Sequence, residues 1–293
     1  KERAVESPIK KRLTKLKLSL SKNPTFAAKF ILMEGKNITI IGCGNLGQAI
    51  LKGLIKSANN IHLVATKRDP EAIKHFEREG VRILGDNIKA IENADLILLA
   101  LKPYNVLEVL KDLAPHIDAT KQVVVSLATG VTLSTLRETV QSDIPIYRAM
   151  PNTGADVGAS MTCIATNHSS HDQLIEECFN TIGSTTRIDE KLMDAATVLG
   201  ACGVAFVLRF MRGMVQGGVQ IGFDSKTAST IVNQTVKGTA ELLISGGQHP
   251  EFEIDKVTTP KGCTISGLNE MEHNGFSSAL IKGIVSSFDA IDS

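Results

Sequence analysis

Net charge is almost missing from this sequence: 32 lysines and arginines stand against 31 acids, a formal +1 over 293 residues. Broad electrostatic attraction to nucleic acid is therefore not expected, and a composition that is 43% hydrophobic and 22% charged does not suit a disordered chain. Small-molecule chemistry fits better. Paired cysteines are missing as well. Cys43, Cys163, Cys178, Cys202 and Cys263 are odd in number, lie far apart and form no C-x-x-C motif. Neither a disulfide framework nor a zinc site is expected, and the thiols point to a reducing, cytoplasmic compartment. Long apolar runs are the third absence. "ADLILLAL" is among the longest and is strand-sized, short of the roughly 18 to 20 residues that cross a bilayer. A soluble protein with no membrane partner is the expectation.

What is present suggests two domains behind an appendage. The stretch "SPIKKRLTKLKLSLSKNPTFAAKFILMEGK" is rich in lysine and serine and carries no acid before Glu34. Residues 1–33 thus read as a basic extension, either an organelle-targeting segment or the product of a start misplaced upstream of Met33. From Asn37 onward, short apolar runs ("NITIIG", "NIHLVAT") alternate with amphipathic segments ("LGQAILKGLIKS", "PEAIKHFEREG") in the rhythm of β-α-β units. Further runs at "VRIL", "ADLILLAL", "QVVVSLA", "IPIYRAM" and "MTCIATN" are apolar almost throughout, as strands covered on both faces are. The expected fold over 34–188 is a Rossmann α/β domain with a mostly parallel, doubly wound sheet. After about Asp189 the strand signals stop. Residues 189–293 read as an all-α domain whose long apolar helices, rich in small residues, need burial against another chain, so a homodimer or larger homo-oligomer is expected.

The first strand runs into "IGCGNLG", which sets Gly42, Gly44 and Gly47 in G-x-G-x-x-G register at the mouth of a helix. The first glycine permits a tight turn, the second lets backbone approach a pyrophosphate, and the third lets helix pack on strand. With Asn45 and Leu46 they make a candidate dinucleotide cradle; the alternative is a tight turn with no ligand. Where NAD binders place an acid at the end of the second strand, this chain has Thr66, Lys67 and Arg68. A hydroxyl and two cations favour the extra phosphate of NADPH, with NADH still usable, unless the two cations are merely solvated loop charges. In open α/β sheets ligands bind beyond the carboxyl ends of the strands. Leu101, Lys102 and Pro103, then Ala128 to Gly130, then Met150 to Thr153 with Asn152, stand at such ends and could wall a nicotinamide pocket. Lys102 reads equally as a lysine snorkelling from a strand end. His168 and His171 in "HSSH" have no acidic or cysteine partner nearby and read as surface residues, so no metal is expected.

One segment is an odd way to begin a helix. "VTTPKGCTISGLNEME" crowds hydroxyls, a proline and a glycine into one turn before Ile265, Leu268 and Met271 fall into helical spacing. This segment, with "ILLALKP", "SLATGVTL", "RAMPNT" and "QHPEFEIDKVTTP" in the same order, resembles the pyrroline-5-carboxylate reductases, a family of the 6-phosphogluconate dehydrogenase-like superfamily. The resemblance runs from about Met33 to the C-terminus. It implies NAD(P)H-dependent reduction of 1-pyrroline-5-carboxylate to L-proline, and a helical second domain that forms the dimer. By match to the family motif, Thr259, Gly262, Cys263 and Thr264 would surround the substrate carboxylate, with Thr264 near the ring nitrogen as the catalytic residue. Asn87 would stand near the adenosine part of the cofactor. In this reading Pro260 sits at the helix start, where its missing amide is not needed, and Gly262 supplies the turn geometry. Two positions depart from the pattern. "GACGVAF", Gly200 to Phe206, replaces a run richer in hydroxyls, and Lys261 stands where the family usually has glycine. Two alternatives stay open: a β-hydroxyacid-type dehydrogenase of the same superfamily, and a non-catalytic NADP-binding paralogue.

Overall fold

The computed structural model describes residues 32–57 and 60–291. The basic extension therefore lies almost wholly outside the described residues. The chain divides into two compact units: one comprising the described residues up to Ala149 together with Gly154–Arg187, the other Met150–Thr153 and Ile188 onward.

The first unit is built on an eight-stranded sheet. In chain order the strands are β1 (Asn37–Ile41), β2 (His62–Thr66), β3 (Arg82–Leu84), β4 (Leu96–Leu99), β5 (Val123–Ser126), β6 (Ile146–Met150), β7 (Ser160–Thr166) and β8 (Gly183–Arg187). Their order across the sheet is β3-β2-β1-β4-β5-β6-β7-β8. β1 pairs in parallel with β2 and β4, and the pairs β2–β3, β4–β5, β5–β6 and β7–β8 are parallel too. The chain reverses between β6 and β7. Thr166, at the end of β7, donates its hydroxyl to the carbonyl of Ile146, at the start of β6. The mostly parallel, doubly wound sheet expected from the sequence is what the chain forms.

Side chains alternate between two cores, which is why the strands read as unbroken apolar runs. Ile38, Ile40, Leu96, Leu98, Val123 and Val125 belong to one core, with helix α1 (Asn45–Lys56) packed on it. α1 contributes Ile50, Leu51 and Leu54 to that first core. Ile41, Ile97, Leu99 and Val124 belong to the other core, with α2 (Asn87–Ile91), α3 (Pro103–Leu113) and α4 (Leu133–Val140). α5 (Asp172–Asn180) buries Ile175, Cys178 and Phe179 on the first face. The segment "PEAIKHFEREG" forms a 3-10 helix, Pro70–Glu79, and buries Ile73 and Phe76. Their spacing of three is the repeat of that tighter helix. Asp69 occupies the cap position before Pro70, but its side chain makes no capping bond. β8, "GSTTR", was not legible as a strand because it is polar and lies at the sheet edge.

The second unit is helical. A continuous run, Glu190–Gln220, passes through a 3-10 turn, α6 (Met193–Ala196), a π-helical segment (Thr197–Cys202) and α7 (Gly203–Gln220). It is followed by α8 (Ser225–Gly246), α9 (Pro250–Val257), α10 (Cys263–His273) and α11 (Phe276–Asp289). α7 and α8 meet over a small core of Val215, Ala228 and Val232. A Cβ on Gly218 would come within 3.1 Å of the Ala228 Cβ, so this glycine serves close approach of α7 and α8, whereas a Cβ on Gly213, Gly217 or Gly238 would meet nothing within 4 Å. The expectation that no segment is long and apolar enough to cross a membrane is corrected here. The 31-residue run Glu190–Gln220 meets that standard by length and composition, although Arg209, Arg212 and its glycines break it into short apolar runs.

Candidate functional site

The glycine turn is built by close approach. Gly42 follows β1 directly with φ +80°, a conformation that side-chain-bearing residues rarely adopt. A Cβ there would lie 3.1 Å from the Ala100 carbonyl oxygen and collide with the Leu101 side chain. Gly44 caps α1 without a side chain, and Gln48 is the residue whose amide bonds back to the Gly44 carbonyl, at 2.9 Å. The first-turn amides of Asn45, Leu46 and Gly47 thus lie outside the helical ladder, at the positive end of the helix. Gly47 packs where a Cβ would come within 3.3 Å of Ile40 and 3.4 Å of Ala100, in keeping with helix packed closely on strand. Between the first two glycines, Cys43 is buried. Burial pushes its thiol up to about 11, and the nearby charge of Lys67 opposes that rise.

Beside this turn lies a cavity of about 230 Å³. It brings together Gly42, Thr66, Lys67, Arg68, Asn87 and Leu101, residues from four separate stretches of sequence. Thr66 is buried and its hydroxyl is engaged: it donates to Asn87 Oδ1 at 2.7 Å and accepts from the Gly42 amide at 3.3 Å. The Thr66 carbonyl accepts from the Cys43 amide at 2.7 Å. Thr66 and Asn87 therefore fix the shape of the glycine turn. The sequence reading missed the opposite wall, formed by Asn105, Glu108, Val109 and Asp112 of α3. Their i, i+3, i+4, i+7 spacing marks one helix face, a signal that was present but had no known neighbour.

The strand-end residues take different places. Lys102 is the exposed cap residue of α3, Pro103 is its first helical residue, and Ala128 is buried just beyond β5. None of these three lines the cavity. Asn152 belongs to the second unit, where its side-chain amide donates to the Gly200 carbonyl at 3.1 Å. Gly200 lies in the π-helical segment, so the departure "GACGVAF" begins in its last three residues, Gly200–Cys202, and continues into the first turn of α7.

The odd helix start forms a reverse turn followed directly by α10. The Gly262 amide donates to the Thr259 carbonyl at 2.9 Å, closing Thr259–Gly262. Pro260 is second in that turn and Lys261 third, with φ +61°. Proline followed by a positive φ is the type II pattern. Two expectations need correction. Pro260 lies in the turn and precedes the helix, which begins at Cys263. The left-handed residue is Lys261, whereas Gly262 is extended at φ −73°, ψ 162°. Gly262 is needed for space, since a Cβ would stand 2.5 Å from the Thr259 hydroxyl and 3.0 Å from its carbonyl oxygen. No side chain caps α10, so the first-turn amides of Cys263, Thr264 and Ile265 lie outside its ladder. Thr264 is half-buried, while Thr259 and Cys263 are exposed.

A parallel sheet with a phosphate-type turn after its first strand, and cations at the end of its second, defines a dinucleotide-binding α/β protein with a helical second unit. Comparison with known proteins narrows this. Residues 190–292 match the family model for pyrroline-5-carboxylate reductase dimerisation, and residues 37–130 match the model for NADP oxidoreductase, coenzyme F420-dependent. Pyrroline-5-carboxylate reductase 2 of Dictyostelium discoideum is 39% identical over 277 residues, covering 87% of this chain and 92% of the relative. Pyrroline-5-carboxylate reductase 1 of the same organism is also 39% identical, over 269 residues; the match covers 86% of this chain but 48% of that longer relative. Among solved structures, a pyrroline-5-carboxylate reductase from Coxiella burnetii aligns with a TM-score of 0.82 at 28% identity, covering 88% of this chain and 97% of the other. The Plasmodium falciparum pyrroline carboxylate reductase with NADP bound aligns with a TM-score of 0.77 at 27% identity, covering 88% and 98%. The chain belongs to the pyrroline-5-carboxylate reductase family.

Proposed function

We propose that this protein reduces 1-pyrroline-5-carboxylate to L-proline with NADPH, the last step of proline synthesis. The observation that carries the reading is the uncapped start of α10, in a chain whose family is set by 39% identity over 277 residues. Bound NADPH supplies the hydride that adds to the imine carbon. The chain's own residues bind and orient. The amides of Asn45, Leu46 and Gly47 face the pyrophosphate from the positive end of α1, and the missing side chain at Gly44 leaves room for it. Lys67 and Arg68 meet the 2′-phosphate through charge-assisted hydrogen bonds. Lys102, Pro103, Ala128 and Asn152 are proposed to serve the nicotinamide end.

In the second unit the first-turn amides of α10, with the Thr259 and Thr264 hydroxyls and the small residues Gly262 and Cys263, hold the substrate carboxylate. Reduction of the C=N bond adds one hydride to carbon and needs one proton on nitrogen. An iminium brings that proton with it. Thr264 orients the ring at its nitrogen and can pass a proton to it through water when the imine arrives neutral. Holding donor and acceptor in reactive contact lowers the barrier by several kcal/mol, on the order of 7 to 11 in favourable cases. The exposed apolar helices of the second unit are read as the contact surface of a homodimer, which also accounts for Glu190–Gln220 without a membrane. A cytoplasmic location is proposed from the five free cysteines.

The test is an assay of purified protein with NADPH and 1-pyrroline-5-carboxylate, following loss of the 340 nm absorbance. Loss of absorbance that depends on the imine is expected. Cofactor binding without oxidation would favour a non-catalytic paralogue, and turnover on β-ketoacids alone would favour a β-hydroxyacid-type dehydrogenase.

A further inference from the structure

The cavity beside the glycine turn has two walls of opposite charge. Lys67 and Arg68 form one, at the end of β2; Glu108 and Asp112 form the other, on α3. The two acids are four residues apart, so they share a helix face, together with Asn105 and Val109. Among the described residues neither acid takes part in an ion pair with Lys67, Arg68 or any other cation. Their charge is therefore left to act on whatever enters the cavity.

We infer that Glu108 and Asp112 restrain the preference for NADPH over NADH, making α3 a second selectivity element opposite the cationic loop. This rests on reading the cavity as the adenosine end of the cofactor site. NADPH differs from NADH there by a 2′-phosphate carrying close to two negative charges. Both pairs line the same cavity of about 230 Å³, and charges within about one Debye length, ~8 Å at physiological salt, act on one another with little screening. A carboxylate at that range repels the phosphate while leaving the neutral 2′-hydroxyl of NADH almost untouched. Lys67 and Arg68 attract the same phosphate. The selectivity of the site is the difference between the two walls. Both acids are exposed at the helix surface, so isosteric amides there leave the core of α3 intact.

The experiment titrates NADPH and NADH against the full chain by nicotinamide fluorescence, for the unsubstituted protein, Glu108→Gln, Asp112→Asn and the double variant. Each single variant is expected to tighten NADPH about two- to fivefold and the double variant about tenfold, with NADH unchanged within about twofold. The gain should shrink at high salt. Arg68→Ala is the opposing control and should weaken NADPH more than NADH. Equal shifts for both cofactors, no shift, or weaker NADPH binding in the acid-to-amide variants would overturn the inference while leaving the cofactor site standing. Failure of the unsubstituted protein to bind either cofactor would overturn the site itself and the inference with it.

Discussion

Thr264 and Lys261 show how much chemistry one turn can concentrate. Thr264 is half-buried in the first turn of α10, and no side chain caps that helix. Replacing it with alanine should raise KM for the imine or lower kcat, with NADPH affinity unchanged; steady-state kinetics with both substrates varied would show it, and unchanged kinetics would remove Thr264 from the site. Lys261 holds φ +61°, a conformation costing a residue with a side chain about 1 to 2 kcal/mol. Glycine loses more freedom on folding, about 0.5 to 1 kcal/mol, so Lys261→Gly should stabilise by roughly 0.5 to 1 kcal/mol net. A higher urea midpoint would confirm this. The family's usual glycine at that position has its physical reason in the same angle.

Elements are joined by contacts that tolerate little change. β8 begins at Gly183, where a Cβ would overlap the backbone of Ser160, and the Ser160 amide bonds to the Ile182 carbonyl at 2.9 Å. Gly183→Ala should therefore prise β8 from β7 and cost about 1 to 3 kcal/mol, the usual range for overpacking, read as a lower unfolding midpoint. In the middle of the sheet Asp95 ties β4 to β1. Burial alone would raise its carboxyl, but the Asn37 amide at 2.8 Å and the Lys36 ammonium at 3.0 Å together hold it below the ordinary 3.8. A depressed carboxyl contributes stability above its unfolded pKa and loses it as pH falls through the folded value. Asp95→Asn should cost about 1 to 2 kcal/mol at neutral pH. The variant's stability should then fall less than the parent's below about pH 4, seen by denaturant melts across that range.

At the scale of the whole molecule, the second unit exposes more apolar surface than a lone chain would carry. Along α11, Ile281, Val285 and Phe288 share one face at i, i+4, i+7 spacing and are 61%, 52% and 39% exposed. A contiguous stripe of this kind marks an interaction surface. Ile281→Asp with Val285→Asp should convert the proposed homodimer to a monomer in sedimentation or light scattering, with the helical content retained; an unchanged mass would place the subunit contact elsewhere. The long run from Glu190 was read correctly as helix, yet its π-helical segment was invisible, because an extra residue in a turn leaves no mark on composition. β8 was missed for a related reason, as an edge strand needs only one apolar face and "GSTTR" offers little of that. By itself the sequence determined the alternating strands, the glycine turn, the cationic loop and the hydroxyl-rich helix start, all of them local patterns that short-range sterics enforce. Only the tertiary structure decided that α3 closes the cavity with two acids, that Thr66 spends its hydroxyl on Asn87, and that the left-handed residue is Lys261. Those depend on which surfaces meet when the helices pack onto the sheet and on the angle at which a turn closes, and neither is written in the spacing of residues along the chain.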